Sequence, residues 1–157
     1  MSMEQILDEV RSFDEVLVLS PEPGGAFPDL AVGDHFFYHS PDGAVPHGQP
    51  YGTIVTKDYP DDAASRLGGT EGRWRVNVHV GRARFRELLG TDPRDGHASE
   101  VRATDVVVPH PVYGALGWVA VVNPGERTTA LVLGLLRAAH DDARARAARR
   151  GSGATGR

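Results

Sequence analysis

The stretch "RWRVNVHVG", residues 73–81, alternates without interruption. Trp74, Val76, Val78 and Val80 fall on one side, and Arg75, Asn77 and His79 fall on the other. Successive side chains of a strand point to opposite faces, so this segment is predicted to be a β-strand with one apolar and one polar face. A strand of that kind suits an antiparallel sheet covered on one side rather than a parallel sheet buried on both.

The cover comes from helical patterns elsewhere. Residues 3–12 carry Met3, Ile6, Leu7 and Val10 at helical spacing. "RARFRELL" follows the alternating strand directly, with Gly90 as its C′ residue. Gly81 is placed as its N-cap, which sets Val80 and Phe85 at the positions of a hydrophobic staple. Near the end of the chain "GWVAVV" reads as a strand and "NPGE" as a helix start. Asn123 is the expected N-cap, Pro124 the first helical residue, and Glu126 the third member of a capping box. The helix that follows places Leu131, Leu135 and Ala139 on one row and Val132, Leu136 and Ala143 beside it. Arg144, Arg146, Arg149 and Arg150 fall in its last turns, where cations meet the negative end of the helix dipole.

"EVLVLS", "DHFFYHS" and "YGTIVTKDY" supply further strands. In "DHFFYHS", His35, Phe37 and His39 share one face and Phe36 and Tyr38 the other, and all three aromatics are expected in the core. Lys57, the only lysine, is expected to be solvated at a strand end. "PDDAASRLGGTEG" and "TDPRDGHASEVRATD" read as a connector and a polar loop. The predicted fold class is α+β: a single domain over residues 1–148, an antiparallel sheet with helices packed on one face, and a disordered tail at 149–157.

The chain contains no cysteine, which excludes disulfides, thiolate catalysis and thiolate metal sites. Its seven histidines do not form a ligand pattern. His35 and His39 on one strand stand about 13 Å apart, too far to share a zinc ion. No G-x-S-x-G elbow, P-loop or glycine-rich dinucleotide turn occurs, so neither a cofactor nor a metal is expected. No signal peptide is expected from "MSMEQILDEVRSF", and "WVAVV" and "ALVLGLL" are too short to span a bilayer. A cytoplasmic location with no membrane contact follows as the expectation. Residues 1–70 hold twelve acids against three basic residues, whereas residues 71–157 hold fourteen arginines against nine acids. That acidic first half makes nucleic acid an unfavoured partner, although the second half permits a local anionic contact. The near-exclusive use of arginine fits a high-GC codon bias.

The chemical candidates centre on "VVPHPVYGALGWVAVVNP". Prolines on both sides of His110 remove two backbone donors and hold the segment near polyproline geometry. An imidazole presented so rigidly suits a proton-transfer or ligand-binding role. It equally suits a histidine that caps a strand end while the prolines blunt a sheet edge. Asn77 and His79, two residues apart on one strand face, lie roughly 6.5–7 Å apart and suit two contacts to one small ligand. Three readings follow. In the first, a small organic ligand sits between the polar sheet face and the 109–118 arm. His110 transfers a proton in an isomerase-, cyclase- or lyase-type reaction, Asn77, His79 and Tyr113 orient the ligand, and Trp118 forms an apolar wall. The second is a nucleic-acid-binding module carried by the arginines at 73–86 and 144–150. The third is an interaction protein, a homodimer paired through exposed strand edges.

"GDHFFYHSPDG", "YGTIVTKDY", "RWRVNVHVGRARFRELLG" and "PHPVYGALGWVAVVNP" occur in the order seen in a family of small actinobacterial proteins. The chain resembles that family, domain of unknown function 6194, from about residue 3 to 148. Asn77, His110, Pro111, Tyr113, Trp118, Asn123 and Pro124 match its pattern, while His79 stands where relatives often have glycine. More remotely, the element order, the central "VN" strand and the late tryptophan strand resemble the MmcQ/YjbR-like group. That resemblance implies a compact α+β fold related to the CyaY architecture, and a suggested affinity for DNA.

Overall fold

The computed structural model describes residues 3–69, 72–95 and 103–155. Helix α1 (Met3–Arg11) leads into strand β1 (Val16–Leu19), followed by β2 (His35–His39), β3 (Gly52–Val55) and β4 (Arg75–His79). Helix α2 (Gly81–Leu89), the short β5 (Val108–Pro109), β6 (Trp118–Val122) and α3 (Thr129–Thr155) complete the chain. The six strands form one sheet in the order β1-β2-β3-β4-β6-β5, and every neighbouring pair is antiparallel. Three helices pack against it, so the fold is the α+β arrangement that the alternating strand predicts. No described helix is long and apolar enough to cross a membrane.

Register explains the core. Phe37, Gly52, Val78 and Val119 are consecutive partners across β2, β3, β4 and β6, and His35, Ile54, Val76 and Val121 form the next row. Ile6, Leu7 and Val10 of α1, Phe85 of α2, and Val132, Leu135, Leu136 and Ala139 of α3 close over these rows. Gly52 marks the closest approach: a Cβ there would stand 2.9 Å from Leu136 Cδ2 and 3.3 Å from the Asn77 carbonyl oxygen. A side chain at that position would force α3 away from the sheet. His140 is buried in the same layer with its tautomer settled, because its Nε2 faces the Asp14 carbonyl at 2.7 Å and its Nδ1 the Tyr51 hydroxyl at 3.0 Å. A carbonyl only accepts, so Nε2 carries the proton and Tyr51 donates to Nδ1.

Several local expectations are corrected. Asn123 does not cap α3. With φ of 45° it turns back along the sheet, its Oδ1 accepting from Trp74 N–H at 3.0 Å and its own N–H donating to the Trp74 carbonyl at 3.0 Å. It therefore prolongs the β4–β6 ladder by one side-chain rung. The cap comes instead from Asp105, whose carboxylate accepts from the N–H groups of Gly125, Arg127 and Thr128 at 2.7–3.0 Å and from the Thr128 hydroxyl at 2.6 Å. Glu126 belongs to no capping box there, because the helix starts only at Thr129.

Gly81 opens α2 rather than capping it, and Val80 occupies the cap position without a side-chain bond. Gly90 closes α2 in the left-handed conformation as expected. Leu131 is exposed rather than buried with Leu135. Lys57 is half-buried and paired rather than freely solvated; its Nζ lies 3.0 Å from the carboxylate of fully buried Asp34 and 2.7 Å from the Val32 carbonyl oxygen. Where a tail was expected from residue 149, α3 continues to Thr155, and residues 156–157 lie outside the described residues. Residues 96–102 of the expected polar loop also lie outside them.

Candidate functional site

The helices leave the other face of the sheet to loops. On that face Phe36, Thr53, Asn77, Ala120 and Val108 form one row of partners, and Val55, Arg75 and Val122 form the next. Val55 and Val122 pack with Leu67 and Tyr59 in a small second apolar cluster. Over the rest of these rows lies a cavity of about 550 Å³. Its walls come from residues 28–31, 48–50 and 59–62 and from the 110–118 arm. Phe36 and Tyr38 line it, so of the three aromatics of β2 only Phe37 enters the helix-covered core. Leu30, Tyr113 and Leu116 are exposed at the cavity and give it an apolar rim.

Arg75 organises the floor. β4 is flanked by β3 and β6, so Arg75 and Asn77 are only 1% and 2% exposed. A charge so deeply placed needs partners in every direction. The Arg75 Nε donates to Asn77 Oδ1 at 2.7 Å, and Nη1 donates to Asp62 Oδ1 at 3.0 Å and Ser65 Oγ at 2.9 Å. Nη2 donates to Asp62 Oδ2, which completes a two-pronged ion pair. Asn77 Nδ2 in turn donates to Thr53 Oγ1 at 2.9 Å. Asp62 is held by a tight turn in which it and Tyr59 exchange both backbone bonds, at 2.9 and 3.0 Å. The Tyr59 hydroxyl is tied to Asp34, and burial together with that carboxylate raises its pKa.

His110 reaches this floor from the sheet edge. Pro109 pairs with Val119 in β5, and the His110 N–H donates to the Trp118 carbonyl at 3.0 Å. A turn follows immediately: Gly114 N–H donates back to the His110 carbonyl at 3.0 Å. The imidazole Nδ1 accepts from the N–H groups of both Val112 and Tyr113, each at 3.0 Å. Its Nε2 lies 3.4 Å from Arg75 Nη2 and 3.8 Å from Asp62 Oδ2. The ring is 5% exposed, and burial first, then the Arg75 guanidinium, push its pKa down to about 4. The rings of Tyr113 and Trp118 stand beside it, with centroids at 5.0 and 6.3 Å.

Four sequence candidates, Asn77, His110, Tyr113 and Trp118, thus surround one cavity. His79 is not among its lining residues. It pairs with Trp118 at the end of the β4–β6 ladder and lies against that ring at 5.7 Å between centroids. Asp62, Ser65, Thr53 and Tyr59 were not legible as site residues, since the segment bearing Asp62 and Ser65 reads only as a polar connector. A signal was available in Arg75: a cation at the start of a central strand, buried between two neighbours, demands a carboxylate from somewhere distant. Among the described residues no group of three or more histidine, aspartate or glutamate side chains gathers closely enough to hold a metal ion.

Several arginines outside the floor have partners of their own. Arg82 pairs with Asp92 at 2.8 Å, Arg84 with Asp142 at 2.6 Å, and Arg137 stacks over Phe13 at 4.5 Å. Comparison with curated proteins and with solved structures returns no match for this chain. Residues 1–152 match the family of unknown function DUF6194, and the chain belongs to that family.

Proposed function

We propose that this protein binds a small organic molecule in the cavity above β3, β4 and β6. The ligand's apolar body lies against Leu30, Phe36, Tyr38 and Trp118, and its polar end rests on the Arg75–His110 floor. The observation that carries this reading is the pairing of an apolar-walled cavity of about 550 Å³ with a buried, cross-linked polar floor. Small-molecule sites are typically ~300–1,000 Å³, mostly apolar, with a few fixed polar groups that set orientation. Exposed Leu30, Tyr113 and Leu116 at its rim are what a mouth for an apolar guest requires.

Binding is favoured over proton transfer at His110. A general base needs a free nitrogen lone pair, and Nδ1 already accepts two backbone N–H groups. The neutral ring therefore carries its proton on Nε2, as a hydrogen-bond donor. Asn77 acts mainly by holding Arg75, since its Oδ1 is occupied by the guanidinium. A nucleic-acid partner, the suggestion of the remoter MmcQ/YjbR-like resemblance, is disfavoured by the acidic first half and by the ion pairs of Arg82 and Arg84.

The test uses aminoanthracene as a fluorescent apolar reporter, with competition by a panel of small aromatic compounds. Saturable binding that Ala31→Trp abolishes, while the variant keeps its cooperative melt, supports the site. Binding indifferent to that filled wall places the reporter elsewhere and defeats the reading.

A further inference from the structure

This inference rests on the cavity being a binding site and concerns what the ligand carries. The imidazole of His110 has one proton to place in its neutral form. On Nδ1 it would point at the N–H groups of Val112 and Tyr113, both 3.0 Å away. On Nε2 it faces Arg75 Nη2 at 3.4 Å, which is also a donor and never an acceptor. Two backbone donors outweigh one side-chain donor, because the turn that holds them is fixed by the Gly114 N–H bond to the His110 carbonyl. Nε2–H is therefore the settled form. Asp62 Oδ2, at 3.8 Å, is too far to take it. Among the described residues, no hydrogen bond joins that nitrogen to an oxygen.

The floor thus presents two converging N–H groups at a buried point, His110 Nε2 and Arg75 Nη2, with no shared acceptor. Thr53 adds to the donors, because its oxygen accepts from Asn77 Nδ2 and its own proton remains to be given. Charge decides what kind of acceptor belongs there. The bidentate carboxylate of Asp62 already balances Arg75, and Asp61 also lines the cavity. A ligand carboxylate would bring a third anion to a site with one cation, and its desolvation would go uncompensated.

We infer that the ligand is a neutral, oxygen-bearing apolar molecule whose carbonyl oxygen (ketone, ester or amide) sits between His110 Nε2 and Arg75 Nη2. An sp² oxygen with two lone pairs accepts both donors at once and removes the donor–donor conflict.

The experiment compares acetylnaphthalene, its hydrocarbon isostere isopropenylnaphthalene, and naphthoate, all substituted at the same ring position, by competition against aminoanthracene. The ketone is expected to bind about tenfold to a hundredfold more tightly than the hydrocarbon, the range for hydrogen bonds that include a charged donor. Naphthoate is expected to bind no better than the hydrocarbon. His110→Asn provides the control, because an asparagine Oδ1 can accept the same turn N–H groups while the Nε2 donor is gone. In that variant the preference for ketone over hydrocarbon should collapse severalfold. NMR of the imidazole nitrogens should show the proton of His110 on Nε2 in the ligand-free protein.

Equal affinity of ketone and hydrocarbon, tightest binding by naphthoate, or a proton on Nδ1 would each overturn the inference while leaving the cavity as a binding site. Failure of all three compounds to displace the reporter would count against the site itself.

Discussion

Breaking the ion pair beneath the cavity should be far more harmful from one side than from the other. Asp62→Ala leaves the Arg75 guanidinium 1% exposed, with Asn77 and Ser65 as neutral partners and no counter-charge. Removing one member of a buried pair costs about 3–5 kcal/mol. Asp62 keeps 13% of its side-chain exposure and the cavity opens beside it, which argues for the lower end, about 3 kcal/mol. For a domain of this size that corresponds to a fall in Tm of roughly 6–12 °C. Arg75→Met should cost less, because a widowed Asp62 sits on a loop and can turn to water. The double variant should be more stable than Asp62→Ala alone, since an apolar pair replaces an orphaned cation.

Urea denaturation at neutral pH, carried out as a double-mutant cycle, reads these differences directly. High salt should barely change them, because a charge this deep is poorly screened. A cost below about 1 kcal/mol for Asp62→Ala, or single effects that simply add in the double variant, would refute the claim that Arg75 depends on this carboxylate.

Two further expectations follow from the ends of β6. Asn123→Ala should speed hydrogen exchange at the Trp74 amide and leave the amides of Gly125, Arg127 and Thr128 unchanged, while Asp105→Ala should do the reverse; an N-cap role for Asn123 predicts the opposite assignment. The Asp105 carboxyl is held down to about 2, first by the Thr128 hydroxyl and then by the backbone N–H groups. Its folded-state pKa lies below the unfolded value near 3.8, so its stabilisation is complete above about pH 4 and is lost as the pH falls toward 2. Melting temperatures of the parent chain and Asp105→Asn should therefore differ most at neutral pH and converge in acid; a constant gap down to pH 2 would contradict the capping geometry.

Patterns local to one segment were readable in the sequence, and those needing a distant partner were not. Alternation at 74–80 placed Val76 and Val78 in the core and Arg75 and Asn77 opposite them, because a strand's geometry is carried by the strand itself. Helical spacing likewise identified Ile6, Leu7 and Val10. Alternation assigns faces without saying what covers them. Phe36 and Tyr38 were expected in the core, yet the second face is roofed by loops and leaves them lining a cavity. The α3 cap was misassigned for a related reason. "NP" before an apolar helix is a good local start signal, but Asp105 reaches the same N–H groups from 20 or more positions away. Lys57 seemed solvated because nothing near it in sequence is its partner; Asp34, 23 residues earlier, is.

The 109–118 arm shows how the two kinds of information combine. Its prolines announce stiffness, and the structure converts that stiffness into a chemical choice. Pro109 sits on the edge strand, where a missing N–H leaves no ladder bond unmade. Pro111 has no N–H either, so the first amides available to the turn are those of Val112 and Tyr113, and both point at Nδ1. The pair of amides fixes the proton on the far nitrogen, and a residue that sequence alone offers as a proton-transfer group, a ligand contact or a strand cap becomes a donor beside Arg75. The histidine's identity is legible in the chain, but its role is set by the two backbone groups that follow the proline.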